Sequence, residues 1–359
     1  MNLSIKNTLT IAACVAASTT SATAESSSAS ASHCDALSNS IVNGCGITCH
    51  SHKRPDSVAP IGVMASHTHK KGEWMASYRY MFMSMQQNFD GDSHVSDASV
   101  LADPRFMIVP TDMDMEMHML GIMYAPTDNF TLMGMFNYSL TSMNHRTMMG
   151  GTFRTQASGW GDSSLTALYK FHDNGNQRAH VGFGLQLPTG DTGASDFLPP
   201  AGGVRRLPYA MQTGTGTFAL LPSITYTSHY SDWSWGAQAR GKIYLGDNSE
   251  GYSPGHRAEA TAWIAKPLTE WASVSFRLKG ETWGNIDGRD RFLMPAPVPT
   301  TNTSLRGGSR IDASVGLNLL ETQSGIRLGI ELSKTIYQKL DGPQLGNDWG
   351  LTLGVQYAW

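Results

Sequence analysis

Seven methionines between Met113 and Met135 share one parity: Met113, Met115, Met117, Met119, Met123, Met133 and Met135. A spacing of two places side chains on one face of a strand, whereas a helix would spread them around its surface. Thioethers in such a row have two uses. They are soft, exchangeable ligands for Cu(I) and, to a lesser degree, Ag(I), or they are flexible apolar filler. Sixteen of the 19 methionines lie between Met64 and Met149, so the candidate metal set also takes in Met75, Met81, Met83 and Met85 before the stripe. Met143, His145, Met148 and Met149 extend it beyond. A second cluster, Cys45, Cys49, His50 and His52, follows Cys34 and precedes His67 and His69. Its spacing lacks the doubled pair of close cysteines that marks a structural zinc site. One disulfide with a spare thiol in an oxidising compartment is the competing reading, and three cysteines cannot all pair within one chain.

The elements that would position these groups follow from the rest of the chain. The 359 residues carry a formal charge of -3, which gives no reason to expect nucleic-acid binding. Glycine is abundant at 37 residues and charged residues make up only 15%, a composition of short strands and turns. Lys6, the apolar run Leu9 to Ala17 and the small residues Ala22, Thr23 and Ala24 read as an export signal, residues 1–24, cleaved after Ala24. A competing lipid-attachment reading rests on Ile11, Ala12 and Ala13 before Cys14. No later apolar run reaches about 18 residues, so insertion in a membrane requires a barrel. Residues 25–71 show no strand or helix period and are expected to form a flexible periplasmic tail carrying the Cys/His cluster.

From Gly72 onward, strict alternation takes over. Trp74, Ala76, Tyr78, Tyr80 and Phe82 alternate with Met75, Ser77, Arg79, Met81 and Met83; Ile326, Leu328, Ile330 and Leu332 alternate with Arg327, Gly329 and Glu331. Each segment has one lipid-compatible face and one polar or thioether face. Twelve such segments are expected, near residues 72–85, 115–125, 129–139, 162–172, 177–188, 218–228, 232–245, 256–265, 269–283, 310–319, 324–337 and 347–359. Short turns alternate with long loops, expected at 86–114, 140–161, 189–217, 246–255, 284–309 and 338–346. The chain ends on Leu351, Leu353, Val355, Tyr357 and Trp359, an alternating strand closing on an aromatic. The fold class is therefore all-β, an antiparallel transmembrane β-barrel of about 12 strands spanning residues 72–359 in the outer membrane of a Gram-negative bacterium. A β-sandwich would need only one buried face per sheet, and the apolar faces here run beyond that need.

Gly159, Trp160, Gly161, Asp162 and Leu165 lead into one strand, and Leu187, Pro188, Thr189, Gly190 and Asp191 leave the next. With these motifs the chain resembles the outer-membrane transporter-like family named for the meta-pathway of phenol degradation, over about residues 72–359. The methionines and the His/Cys tail resemble a metal-associated branch of that family. The resemblance implies an outer-membrane channel for small molecules and supplies no catalytic residues.

If the aromatic faces meet lipid, the methionines of the first three strands point into the lumen. Leu120, Ile122 and Tyr124 then lie in the lipid band with Glu116 and His118 above it, because a charge at mid-membrane on the lipid face costs several kcal/mol. Lys170, Arg178, Arg240, Lys242, Glu259, Arg277, Lys279, Glu281, Asp312, Arg327 and Glu331 would line the opposite wall. The expected function is an outer-membrane channel or transport component for small solutes, linked to copper through the inward stripe. Its partners are outer-membrane lipid, a small solute or metal ion and periplasmic metal-handling proteins. No cofactor is required beyond Cu(I) as a candidate ligand. The alternatives are a metal-sequestering barrel without conduction and a barrel lipase. The lipase has only His180 with Ser163 or Ser164 to offer and lacks a nucleophile-elbow motif, so the chain is read as a non-enzyme.

Overall fold

The computed structural model describes residues 54–293 and 298–359. The alternating segments form one antiparallel sheet closed on itself. Its wall consists of β1 (Trp74–Gly91), β2 (Ile108–Thr127), β3 (Phe130–Thr147), β4 (Ser164–Asp173), β5 (Gln177–Gln186), β6 (Ala219–His229), β7 (Ser234–Tyr244), β8 (Arg257–Pro267), β9 (Ala272–Trp283), β10 (Gly308–Leu320) and β11 (Arg327–Ala358). Each pairs with its sequence neighbour, and β11 closes the barrel on β1. β11 has 32 residues and turns back near Gly342, whose φ is +77°. Residues 327–340 pair with β10 and residues 344–358 with β1. These eleven continuous strands therefore cross the wall twelve times. Two further strands of the same sheet lie off the closed ring: Ser93–Val95, and Thr152–Trp160, which continues β4 upward against β3.

Alternation fixes the two faces. On β2, Met113, Met119 and Met123 are buried while Leu120 and Ile122 are half exposed. The outer surface carries Leu132, Phe136, Val181, Phe183, Ile264, Phe276 and Val315, with Leu328 and Ile330 on β11, all exposed. Such a surface is stable only against lipid, since large apolar patches are otherwise costly in water. Trp74 packs beside Tyr124, their ring centroids 4.5 Å apart, at the short-turn end. Tyr138 and Trp160 meet at 5.5 Å, and Phe82 and Trp349 at 5.0 Å, toward the other. These pairs correspond to the two interfacial girdles of a membrane barrel.

Three expectations are corrected. Residues 86–114 and 140–161 are largely strand, because the inner Met alternation persists after the outer face turns polar at Glu116, Asp114 and Asp112. About 9–11 residues suffice to cross a bilayer, so the 18 residues of β1 and the 20 of β2 project beyond it. Residues 338–346 are likewise strand around a tight turn. The third correction concerns residues 54–71, expected to be flexible: Ile61 and Val63 are buried, with 5% and 2% exposure, against the barrel's inner face. The aperiodic sequence excludes a regular element there, yet its apolar side chains still need a place out of water. Residues 1–24 and the tail as far as residue 53 lie outside the described residues.

Candidate functional site

Residues 54–72 enter the lumen from the short-turn end and return to it. At entry, the Arg54 guanidinium donates to the Tyr230 and Ser231 carbonyls in the β6–β7 turn and pairs with Asp56 at 2.9 Å. At exit, the Lys71 amide donates to Asp128 in the β2–β3 turn, and the Gly72 amide to the Ala125 carbonyl. Between them the loop touches inward residues on most of the circumference. Gln238 on β7 donates to the Met64 carbonyl (2.9 Å), His180 on β5 bonds the Ala65 carbonyl (2.9 Å), and the His69 amide donates to Thr131 on β3. Ala59 and Val63 pack on Trp263 of β8. Ile61 sits over two glycines: a Cβ on Gly329 would come within 2.6 Å of it, and one on Gly354 within 2.7 Å. Glycine inside a strand often marks such a close approach. Gly62 lies directly over the buried Arg277–Glu331 pair, where a Cβ would collide with the Glu331 carboxylate.

The lumen has two chemically different walls, as the alternation predicts. On β7 to β10, Arg240 pairs with Glu259 (3.0 Å), Arg257 and Arg310 with Glu281 (3.1 Å each), and Lys279 with Asp312 (2.9 Å). These pairs satisfy charges that would be costly if held singly away from water. The opposite wall, on β1 to β3, is thioether. Met81 faces Met117, and Met83 faces Met115, as directly opposed cross-strand pairs, a register that sets Cβ atoms about 4.5–5.5 Å apart.

The long-loop end is closed by its own contacts. Asp162 accepts from the Gly190 amide (3.0 Å), Gln186 (2.8 Å) and both the amide (2.9 Å) and hydroxyl (2.6 Å) of Thr215. The two short motifs at 159–165 and 187–191 therefore meet, and Gly190 lies against Gly214 where a Cβ would be 2.6 Å from its Cα. From the same loop, Arg206 reaches buried Asp290 at 2.7 Å and Glu250 at 3.4 Å, tying three loops together.

No family model matches the sequence, and no curated protein matches it. Among solved structures the chain is similar to the COG4313 outer membrane channel from Pseudomonas putida F1, at 16% identity and a TM-score of 0.56, covering 82% of this chain and 98% of that one. Looser likenesses include the KdgM porin, at 12% identity, TM-score 0.39 and coverage of 79% and 99%. The transport unit of the autotransporter AIDA-I from Escherichia coli follows at 10% identity, TM-score 0.47 and coverage of 85% and 95%. The fold is that of an outer-membrane barrel.

Within this outer-membrane barrel the candidate metal residues divide by environment. Met75 and Met133 are buried with Met123 and Leu168, and Met135 and Ala65 pack against that group. Met81, Met83, Met115 and Met117 are only partly covered, and Met119 is buried beside Arg79 in the register. Met143 is buried with Met113, Leu207 and Met211, with Met85 and Met115 packed on them; the upper stripe is a seat for the inward-folded 187–217 loop. His145 stacks on Phe153 at 4.7 Å instead of joining other candidates. Met148 and Met149 are exposed at a hairpin tip. His67 and His69 lie with ring centroids 5.0 Å apart on the luminal loop, and His69 is 3.4 Å from Glu73. Cys45, Cys49, His50 and His52 lie outside the described residues. Among the described residues no group of three or more His, Cys, Asp or Glu side chains forms a metal cage. The Ser/His pairing fails as well: His180 bonds Ala65, and Ser163 is engaged by Thr189 at 3.0 Å.

Sequence reasoning missed Met64, Ile61, Trp263 and the glycines beneath the loop. Inward-facing glycines such as Gly329 and Gly354 were the available signal, since glycine inside a strand often marks a close approach.

Proposed function

We propose that this chain is an outer-membrane channel for small solutes whose passage is limited by its own segment 54–72, with Cu(I) as a soft-metal cargo. The single observation behind the channel reading is a lipid-compatible barrel whose lumen is lined by paired charges and occupied by a loop fixed at both feet near the short turns. In barrels of this type the short turns face the periplasm, so the loop stands on the periplasmic side of the path. The metal reading rests on the opposed pairs Met81 with Met117 and Met83 with Met115, which offer four neutral thioethers toward the lumen. Periplasmic metal-handling proteins are the partners this cargo calls for. The likeness to the phenol meta-pathway family supports the same transport class, and no reaction is proposed.

The test is single-channel conductance of the full chain in planar bilayers, followed by Cu(I) uptake into proteoliposomes. Discrete conductance steps are expected. Their absence at every voltage and salt would leave the sequestering alternative, which the filled lumen favours. Replacing Met81, Met83, Met115 and Met117 together by Leu keeps volume and is expected to abolish Cu(I) uptake while leaving ion conductance in place. Unchanged uptake would reduce the stripe to packing.

A further inference from the structure

Arg79 on β1 is a buried cation, with 7% exposure. Its charge is handled differently from five of those across the lumen. Arg277, Lys279, Arg310, Arg257 and Arg240 each have a carboxylate at ion-pair distance. Arg79 has none among the described residues. One terminal nitrogen donates to the Met64 thioether at 2.9 Å, a weak acceptor, and its Nε has no hydrogen-bond partner. A guanidinium keeps its proton in a protein, so burial without a counter-charge is destabilising.

The same guanidinium lines a small cavity between β1 to β3 and the luminal loop, with room for one small guest. Ser66, His67 and Ser77 bring polar groups to it, and Met123 and Met133 bring uncharged thioethers. Among the described residues no carboxylate lines it. Ala65, at its edge, has the left-handed φ of +52°, which L-residues other than Gly, Asn and Asp seldom adopt, and strain of this kind tends to persist where a ligand site needs it. The lining sorts the possible guests. A cation, Cu(I) included, would face an uncompensated positive charge, whereas a monovalent anion would supply the missing counter-charge and accept from the Arg79 Nε, with the Ser66 and Ser77 hydroxyls exchanging their contacts to the His67 ring (3.1 Å) and the Gly121 carbonyl (3.4 Å) for it.

We infer that Arg79, with Ser66 and Ser77, forms a binding site for a chloride-sized monovalent anion, which ties the luminal loop to β1. The site stands apart from the four-methionine patch and does not depend on the chain conducting anything.

Thermal unfolding of the full chain in detergent, compared in sodium chloride and in sodium gluconate at equal ionic strength, reads it out. Gluconate controls for screening because it is too large for the cavity. A ligand that binds only the folded state raises its midpoint, so chloride is expected to raise the wild-type midpoint and to leave Arg79→Met unchanged. Arg79→Met is also expected to be at least as stable as wild type in gluconate, because it removes an uncompensated charge; a purely packing role would make it less stable in both salts. Chloride-35 NMR supplies a second readout that needs no unfolding, with excess line-broadening expected for wild type and lost in Arg79→Met. Equal midpoints in the two salts together with equal broadening in both proteins would overturn the site. Because neither readout involves conductance, a failed channel and a failed anion site give different results.

Discussion

The seat of Ile61 gives the sharpest test of the luminal loop. Gly329 and Gly354, on the two halves of β11, leave a hollow that holds this side chain at 5% exposure. In Gly329→Val the new Cβ would stand within 2.6 Å of the Ile61 Cβ and within about 3 Å of both its γ carbons, too close for the loop to keep its path. Evicting Ile61 forfeits its burial, about 1.5–3 kcal/mol for a large aliphatic side chain. At about 1.4 kcal/mol per factor of ten, the fraction of time the seat is vacant should rise about 10- to 100-fold. The barrel itself should not suffer, since valine suits a strand better than glycine does. In planar bilayers the variant should therefore spend more time in its larger-conductance level, while the folded barrel keeps its heat-modifiable mobility on gels. Wild-type conductance from an intact Gly329→Val barrel would show that the loop does not limit passage. Gly354→Val should act in the same direction, since it meets Ile61 from the neighbouring strand segment.

Ala65→Gly should tighten the loop by about 0.5–1 kcal/mol, because glycine adopts the left-handed backbone without strain, and appear as slower amide exchange at residues 61–67. Asp162→Ala removes the acceptor shared by Gly190, Gln186 and Thr215; leaving such donors unpaired costs about 1–3 kcal/mol, and limited proteolysis should then cut within 187–217. Arg206→Gln strands Asp290, which is fully buried, and loss of one partner of a buried pair costs about 3–5 kcal/mol, so all three outer loops should exchange faster. Burial alone would raise the Glu250 carboxyl, but the Ser249 hydroxyl and Arg206 hold it below the usual glutamate range. A depressed acid stabilises the fold above its unfolded pKa and loses that contribution as pH falls through the folded one. Protection of residues 248–252 against amide exchange, taken relative to the intrinsic rate at each pH, should thus be greatest near neutrality and fall below about pH 4, and the fall should vanish in Glu250→Gln.

Most of the wall was legible in the sequence because a period of two in a membrane strand states directly which residues meet lipid. Tyr78 and Leu120 announce their outward face, and Arg79 and Met119 follow by parity. The ends of β1 to β3 were not legible. Their outer residues become polar beyond the bilayer, as at Asp112 and Asp114, and a strand in water on one face and packed on the other loses the contrast that marks it. The luminal loop was hidden for a related reason: Ile61 and Val63 are too few to form a pattern, and what buries them is Trp263, Gly329 and Gly354, roughly two to three hundred residues later.

The methionines divide the same way. Parity placed Met113 to Met135 on one face of their strands, and the aromatic faces of the first and third strands set that face inward. Only the tertiary structure decided what each one meets: Leu207 and Met211 of a returning loop at Met113 and Met143, an opposed thioether at Met81 and Met83, and the Arg79 guanidinium near Met123 and Met133. Side-chain direction is a local property of the backbone, while the neighbour at the end of that direction comes from closure of the barrel and the path of loops distant in sequence.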